Sequence, residues 1–230
     1  PSETGAISII TPDGNGGIRT GDIKLSTGAV VDAVSGDLFF STGAASGLGS
    51  AGSIDLSVGN SAASAGSDIT ITAGRGGVSG DGGAIAITSG FANSVSADNG
   101  GLMTLSTGSS STGTGGNMVL STGSGAQASG SIDLETAGVT GVTGAITLST
   151  GDAAGGSAIA GDISALVGDS GATGGSVILT AGRSATQTGG GVSITSGVVT
   201  TDATTSGAIA LSTPSGTGAM PSGWVTLSTG

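Results

Sequence analysis

Gly144-Ala145-Ile146-Thr147-Leu148-Ser149-Thr150-Gly151 is the stretch on which the reading turns, because variants of it recur from one end of the chain to the other. Gly21-Asp22-Ile23-Lys24-Leu25-Ser26-Thr27-Gly28, Gly116-Asn117-Met118-Val119-Leu120-Ser121-Thr122-Gly123 and Gly223-Trp224-Val225-Thr226-Leu227-Ser228-Thr229-Gly230 follow the same pattern. It is Gly-x-Φ-x-Φ-Ser/Thr-small-Gly, with Φ aliphatic. Two apolar residues spaced by two, inside a short run rich in Ile, Val and Thr, predict an extended strand with one apolar face. The closing and opening glycines permit tight turns.

Working outward, the first Φ falls at Ile7, Ile23, Leu38, Ile54, Ile69, Ile85, Met103, Met118, Ile132, Ile146, Ile163, Val177, Val192, Ile209 and Val225. These fifteen repeats have a mean spacing of about 15.6 residues, with individual spacings of 14 to 18. A fixed short period is the signature of repeat architectures. Helix is a poor alternative, since no segment has 3.6-residue apolar spacing and each glycine costs about 1 kcal/mol in a helix interior. The links between runs are small-residue rich, and several carry a modest apolar residue near the middle: Val34, Leu48, Ala63, Val78, Val95, Val142 and Ala172. These are expected to form the second, thinner wall of a flattened coil.

One repeat buries too little apolar surface to fold alone, so stability must come from neighbours stacking on one another. The expected fold is all-β: a parallel β-solenoid of about fifteen repeats, one repeat per coil, spanning residues 1–230 as a single array. A coil of two repeats with opposed Φ faces is the alternative. The expected core ladder contains Ile23, Leu25, Ile54, Leu56, Ile85, Ile87, Met118, Leu120, Ile146, Leu148, Val177, Leu179, Ile209 and Leu211. Thr27, Thr42, Thr107, Thr122, Thr136, Thr150, Thr213 and Thr229, at the strand ends, are expected to point inward and bond backbone at the turn. Neither end carries a polar cap, so the expectation is a segment of a longer array or ends that stack on neighbouring chains.

Composition narrows function further. The 230 residues include 50 glycines, with 2% aromatic and 8% charged residues. A mean hydropathy of +0.37 and a regular Φ register weigh against a disordered chain. The absence of Cys and His removes thiolate and imidazole ligands and the commonest general base. A net charge of −11 opposes nucleic acid and anionic lipid. No apolar run approaches the roughly 20 residues of a membrane span. Asp13-Gly14-Asn15-Gly16-Gly17 and Ser79-Gly80-Asp81-Gly82-Gly83 suggest calcium-binding loops but do not recur, so divalent cations are expected to bind weakly and no cofactor is expected.

Arg19, Lys24, Arg75 and Arg183 are widely separated, and adjacent carboxylates occur only near Asp133 and Glu135. Neither set makes an acid–base constellation, and no enzymatic activity is expected. The residue after the second Φ is Ser or Thr in most repeats, giving an outward hydroxyl row. An ice-binding face is the functional alternative for that row, but Lys24, Phe39, Asp55 and Asp133 interrupt its neighbour column. Phe39, Phe91 and Trp224 are candidate lateral contacts between chains.

The tandem units resemble those of long, low-complexity β-solenoid surface proteins: adhesin stalks, fibres and other extracellular repeat proteins of microbes. The resemblance implies a mechanical or surface role at an extracellular or cell-surface location. The resulting expectation is a structural subunit of an extracellular filament, fibre or sheath that associates with itself. An adhesin stalk, an ice-binding solenoid and a carbohydrate-active β-helix are the alternatives.

Overall fold

The structure, a computed structural model, describes residues 5–14, 20–93, 98–154, 158–199, 205–215 and 222–229. Residues Pro1–Met118 form one unit and Val119–Gly230 a second. The described residues of both consist of extended runs joined by bent links, with neither helix nor strand. The repeat register is clear in each unit; the expected β-solenoid is not there.

Within every described repeat the opening glycine, or Ser67 in the fifth, is followed by Φ at the second and fourth positions, with Ala165 the one exception, and by a Thr, Ser, Ala or Val at the sixth. A Gly, Ala or Pro closes the run at the seventh in most of them, as at Gly28, Gly74, Ala137 and Pro214. The link then bends around residues 31–33, 47–48, 62–64, 78–80, 111–113, 126–127, 140–141, 171–173 and 185–187. Instead of crossing back to the start of the run it left, the link returns to that run's end. Six backbone bonds record this: the amides of Gly83, Gly101, Gly116, Gly130, Gly190 and Gly207 donate to the carbonyls of Gly74, Gly90, Gly108, Gly123, Gly182 and Gly197, at 2.8 to 3.1 Å. Each joins an opening glycine to the closing glycine before it.

For the shortest links reach alone weighs against a coil. An extended run such as 116–123 advances about 23 Å, and the link from Gly123 to Gly130, even straight, spans at most about 25 Å. A link pulled that tight has no residues left to turn two corners. Longer links, such as Gly90 to Gly101, have the reach but close on themselves in the same way. Among the described residues no strand ladder is made.

The expected core is accordingly absent. Among the described residues none is buried, and the chain exposes 22421 Å². A folded monomer of 20.8 kDa would expose about 9,000 Å². Ile23, Leu25, Ile54, Leu56, Ile85, Ile87 and Met118 in the first unit are exposed, as are Leu120, Ile146, Leu148, Val177, Leu179, Ile209 and Leu211 in the second. They share a face but have nothing packed over it. The expected second wall fails too: Val34, Leu48, Val78 and Val142 stand at the loop bends in open solvent, because the closed link carries its middle away from the Φ face. Val95 lies outside the described residues.

Candidate functional site

Among the described residues there is neither a buried core nor a pocket, and the candidate surface is the run that repeats. Alternation within it survives without strand pairing. From the second repeat onward the first Φ is 43 to 60% exposed and the second 55 to 85%, whereas the outward residues between them, Phe39, Val119 and Ile178, are each 81% exposed. One edge of every run is thus apolar and largely open, the first Φ less so than the second.

The outward edge is polar. Lys24 Nζ lies 3.9 Å from Asp22 Oδ2, and the Ser131 hydroxyl donates to Asp133 Oδ2 at 3.3 Å. Both pairs join the first and third positions of a run, which face the same way in extended backbone. The exposed ion pair contributes little to stability. Asp133 and Glu135 share this edge by register. Among the described residues no group of three acidic side chains is close enough to hold a metal ion. Arg19 and residues 15–17 lie outside the described residues. Phe39, Phe91 and Trp224 are strongly exposed.

The strand-end threonines are not buried, so the expectation of inward hydroxyls is corrected. It is their carbon atoms that matter. A methyl placed on Gly21, Gly36, Gly52, Gly144 or Gly223 would lie 3.6 to 3.7 Å from the Cγ2 of Thr11, Thr27, Thr42, Thr136 or Thr213, and one on Gly161 would lie 3.9 Å from Thr150 Cγ2. None of these links has the closing backbone bond, nor does the one in which Val167 Cγ1 stands against Gly175.

In the six bonded links a methyl placed on the opening glycine would lie 3.3 to 3.5 Å from the Cβ of Ala73, Ser89, Thr107, Thr122, Ala181 or Ser196, with Thr122 Cγ2 also at 3.6 Å. Every described run that ends in Ala or Ser at its sixth position is thus followed by a bonded link, whereas runs ending in Thr or Val are so followed only at Thr107 and Thr122. A small sixth residue favours the closure, and a threonine mostly goes without it. Glycine suits the position opposite, since a Cβ on Gly190 would meet the Gly182 amide at 3.2 Å and the two backbones would have to give by a few tenths of an ångström.

A second local device sits two residues after the closing position. The hydroxyl of Ser110 accepts from the Gly113 amide at 2.8 Å, that of Ser184 from the Gln187 amide at 2.9 Å, and that of Ser170 from the Ala172 amide at 3.1 Å. Ser61 shares a 2.7 Å hydroxyl bond with Ser64. Side-chain oxygens that satisfy backbone amides stabilise turns against extended backbone. Sequence reading passed over these serines, although their constant offset from the repeat glycine was the available signal. Positive φ is needed at few bends: Gly47 has φ 77° and Asp32 has φ 58°, the latter tolerated because Asp visits the left-handed region.

No family model, no curated protein and no solved structure matches this chain.

Proposed function

We propose that the chain is a structural subunit of an extracellular filament, fibre or sheath, and that it works by associating with copies of itself rather than by chemistry at a site. The observation that carries this reading is the open apolar edge, repeated in register through both units. Soluble monomers seldom leave contiguous apolar patches larger than a few hundred Å², and larger ones mark contact surfaces. The exposed area exceeds that of a folded monomer of this mass by about 13,000 Å². The outward Asp, Lys, Ser and Thr residues would keep such an assembly wetted on its other edge. Extracellular location rests on the resemblance of the repeats to surface and fibre proteins.

The test is sedimentation velocity with electron microscopy of the purified chain over a concentration series. The reading expects elongated polymers that grow above a critical concentration. A chain that stays monomeric throughout the micromolar to millimolar range refutes it.

A further inference from the structure

The partner and its geometry can be named more closely, on the footing of that structural reading. We infer that the extended runs pair with the same runs of a second copy, parallel and in register, so that each chain contributes one layer and the backbone bonds form between chains.

The backbone supplies the need. Among the described residues the six loop closures are the only backbone–backbone bonds, and every one lies at the ends of a run. The amides and carbonyls between the opening and closing positions are left for a partner, and an extended run satisfies them best with another extended run about 4.7 Å away. Proline, which would remove a donor, stays out of these stretches: Pro12 and Pro214 occupy closing positions, and Pro1 and Pro221 lie outside the runs.

The spacing selects the partner. From Ile7 to Val225 the intervals between first Φ residues are 16, 15, 16, 15, 16, 18, 15, 14, 14, 17, 14, 15, 17 and 16. Shifting one copy by a repeat leaves most paired runs one or two residues out of register and sets links of unequal length side by side, and reversing it misaligns them by up to four residues; a one-residue slip already turns the Φ face over. Only a parallel copy at zero shift brings every run, link and closing glycine into line. No other chain shares this sequence of intervals except by coincidence. In that register Φ stacks on Φ, and Thr on Thr, as identical side chains do in stacked sheets. The area left open is several times the 1,200 to 2,000 Å² that a standard stable interface buries.

One term opposes the arrangement. Identical layers set Asp22 beside Asp22 and Asp133 beside Asp133, and like charges directly opposite destabilise a sheet. With a net charge of −11 per chain, pairing should require salt.

Because the chain has no cysteine, a single label can be placed at will. Val119→Cys and, in a separate variant, Thr147→Cys put a nitroxide on the outward third position of a run in each case. Assemblies grown at physiological salt should give an electron paramagnetic resonance spectrum collapsed by spin exchange, since labels would stack about 4.7 Å apart. Diluting labelled chains with unlabelled ones should restore the spectrum of isolated labels. Polymers in which both variants show isolated labels without dilution refute the in-register inference while leaving the filament reading intact. Failure to polymerise at all, with wild type included, overturns the filament reading and this inference with it.

Discussion

Ala181→Thr and Thr27→Ala form a reciprocal pair that tests whether the sixth residue of a run governs closure of its link. In the wild-type chain the Gly190 amide donates to the Gly182 carbonyl at 2.8 Å, and Ala181 Cβ is the side-chain atom nearest to Gly190. Threonine at 181 would resemble Thr27, whose Cγ2 stands against Gly36 without the bond, as in most threonine-ended runs; Thr107 and Thr122 are the two whose links bond. The first substitution should therefore open the 182–190 closure, and the second should create one between the Gly36 amide and the Gly28 carbonyl. A net hydrogen bond contributes about 0.5 to 1.5 kcal/mol, toward the lower end where water competes. The corresponding change in amide exchange is about 2- to 13-fold, since RT is about 0.6 kcal/mol.

Amide hydrogen exchange read residue by residue by NMR, at low concentration and low salt so that copies stay apart, measures both directions at once. Exchange at 190 should rise in Ala181→Thr, and exchange at 36 should fall in Thr27→Ala. Neither substitution alters the residues next to the reporting amide, so intrinsic exchange is unchanged. The Gly116 amide, bonded to Gly108 at 2.9 Å in another link, serves as the internal reference. Unchanged exchange at both 190 and 36, with 116 steady, would refute control by the sixth residue, and the correlation between its size and bonding would then have no mechanical meaning.

Leu120→Asp should leave the isolated chain's exchange pattern intact, because Leu120 is already exposed, yet it should raise the critical concentration for assembly. Loss of one leucine's burial, about 1.5 to 3 kcal/mol, corresponds to about 10- to 150-fold; an unchanged critical concentration would show that the Φ edge is not the contact. Raising ionic strength from about 0.01 to 0.15 M shortens the screening length from about 30 to 8 Å and should lower the critical concentration, as measured by sedimentation. Indifference to salt would argue against stacked like charges. Chelation with EDTA should alter neither amide exchange nor assembly, and loss of either would show that the carboxylates hold a metal. Ser184→Ala should speed exchange at Gln187 about twofold by removing its 2.9 Å acceptor, with no change at Gly113.

Periodicity made the repeat legible to the residue. The Gly, Φ, Φ and strand-end positions read from Ile146, Leu148 and Thr150 hold in the geometry, and each described link begins and ends where the glycines place it. What alternation cannot convey is the partner. A two-residue apolar period specifies an edge to be covered and is silent on whether the cover comes from the next repeat, from an opposed sheet or from another molecule. The solenoid expectation supplied a cover from within the chain and gave too little weight to the reach of links as short as that from Gly123 to Gly130. The loop interior was misread for a related reason: Val34, Leu48 and Val78 suggested a wall because hydropathy was weighed without asking where a closed link carries its bend. The serines at 61, 110, 170 and 184 were missed because they belong to no motif, only to a fixed distance from one.

Variation in the chain is confined in a way that bears on assembly. Spacing between repeats changes by up to four residues, but the offset from opening glycine to strand end does not change; every inserted or missing residue falls in a link. A link that closes on itself can absorb such differences without moving the runs on either side, since its two ends remain in contact whatever its length. Links spanning back across a coil would have no such freedom, because each would have to match the same distance. Self-closing links therefore decouple run length from repeat length. They also leave the run's hydrogen-bonding groups unused inside the chain, so the feature that tolerates irregular spacing is the same one that directs pairing outward, to a molecule with the same irregularities.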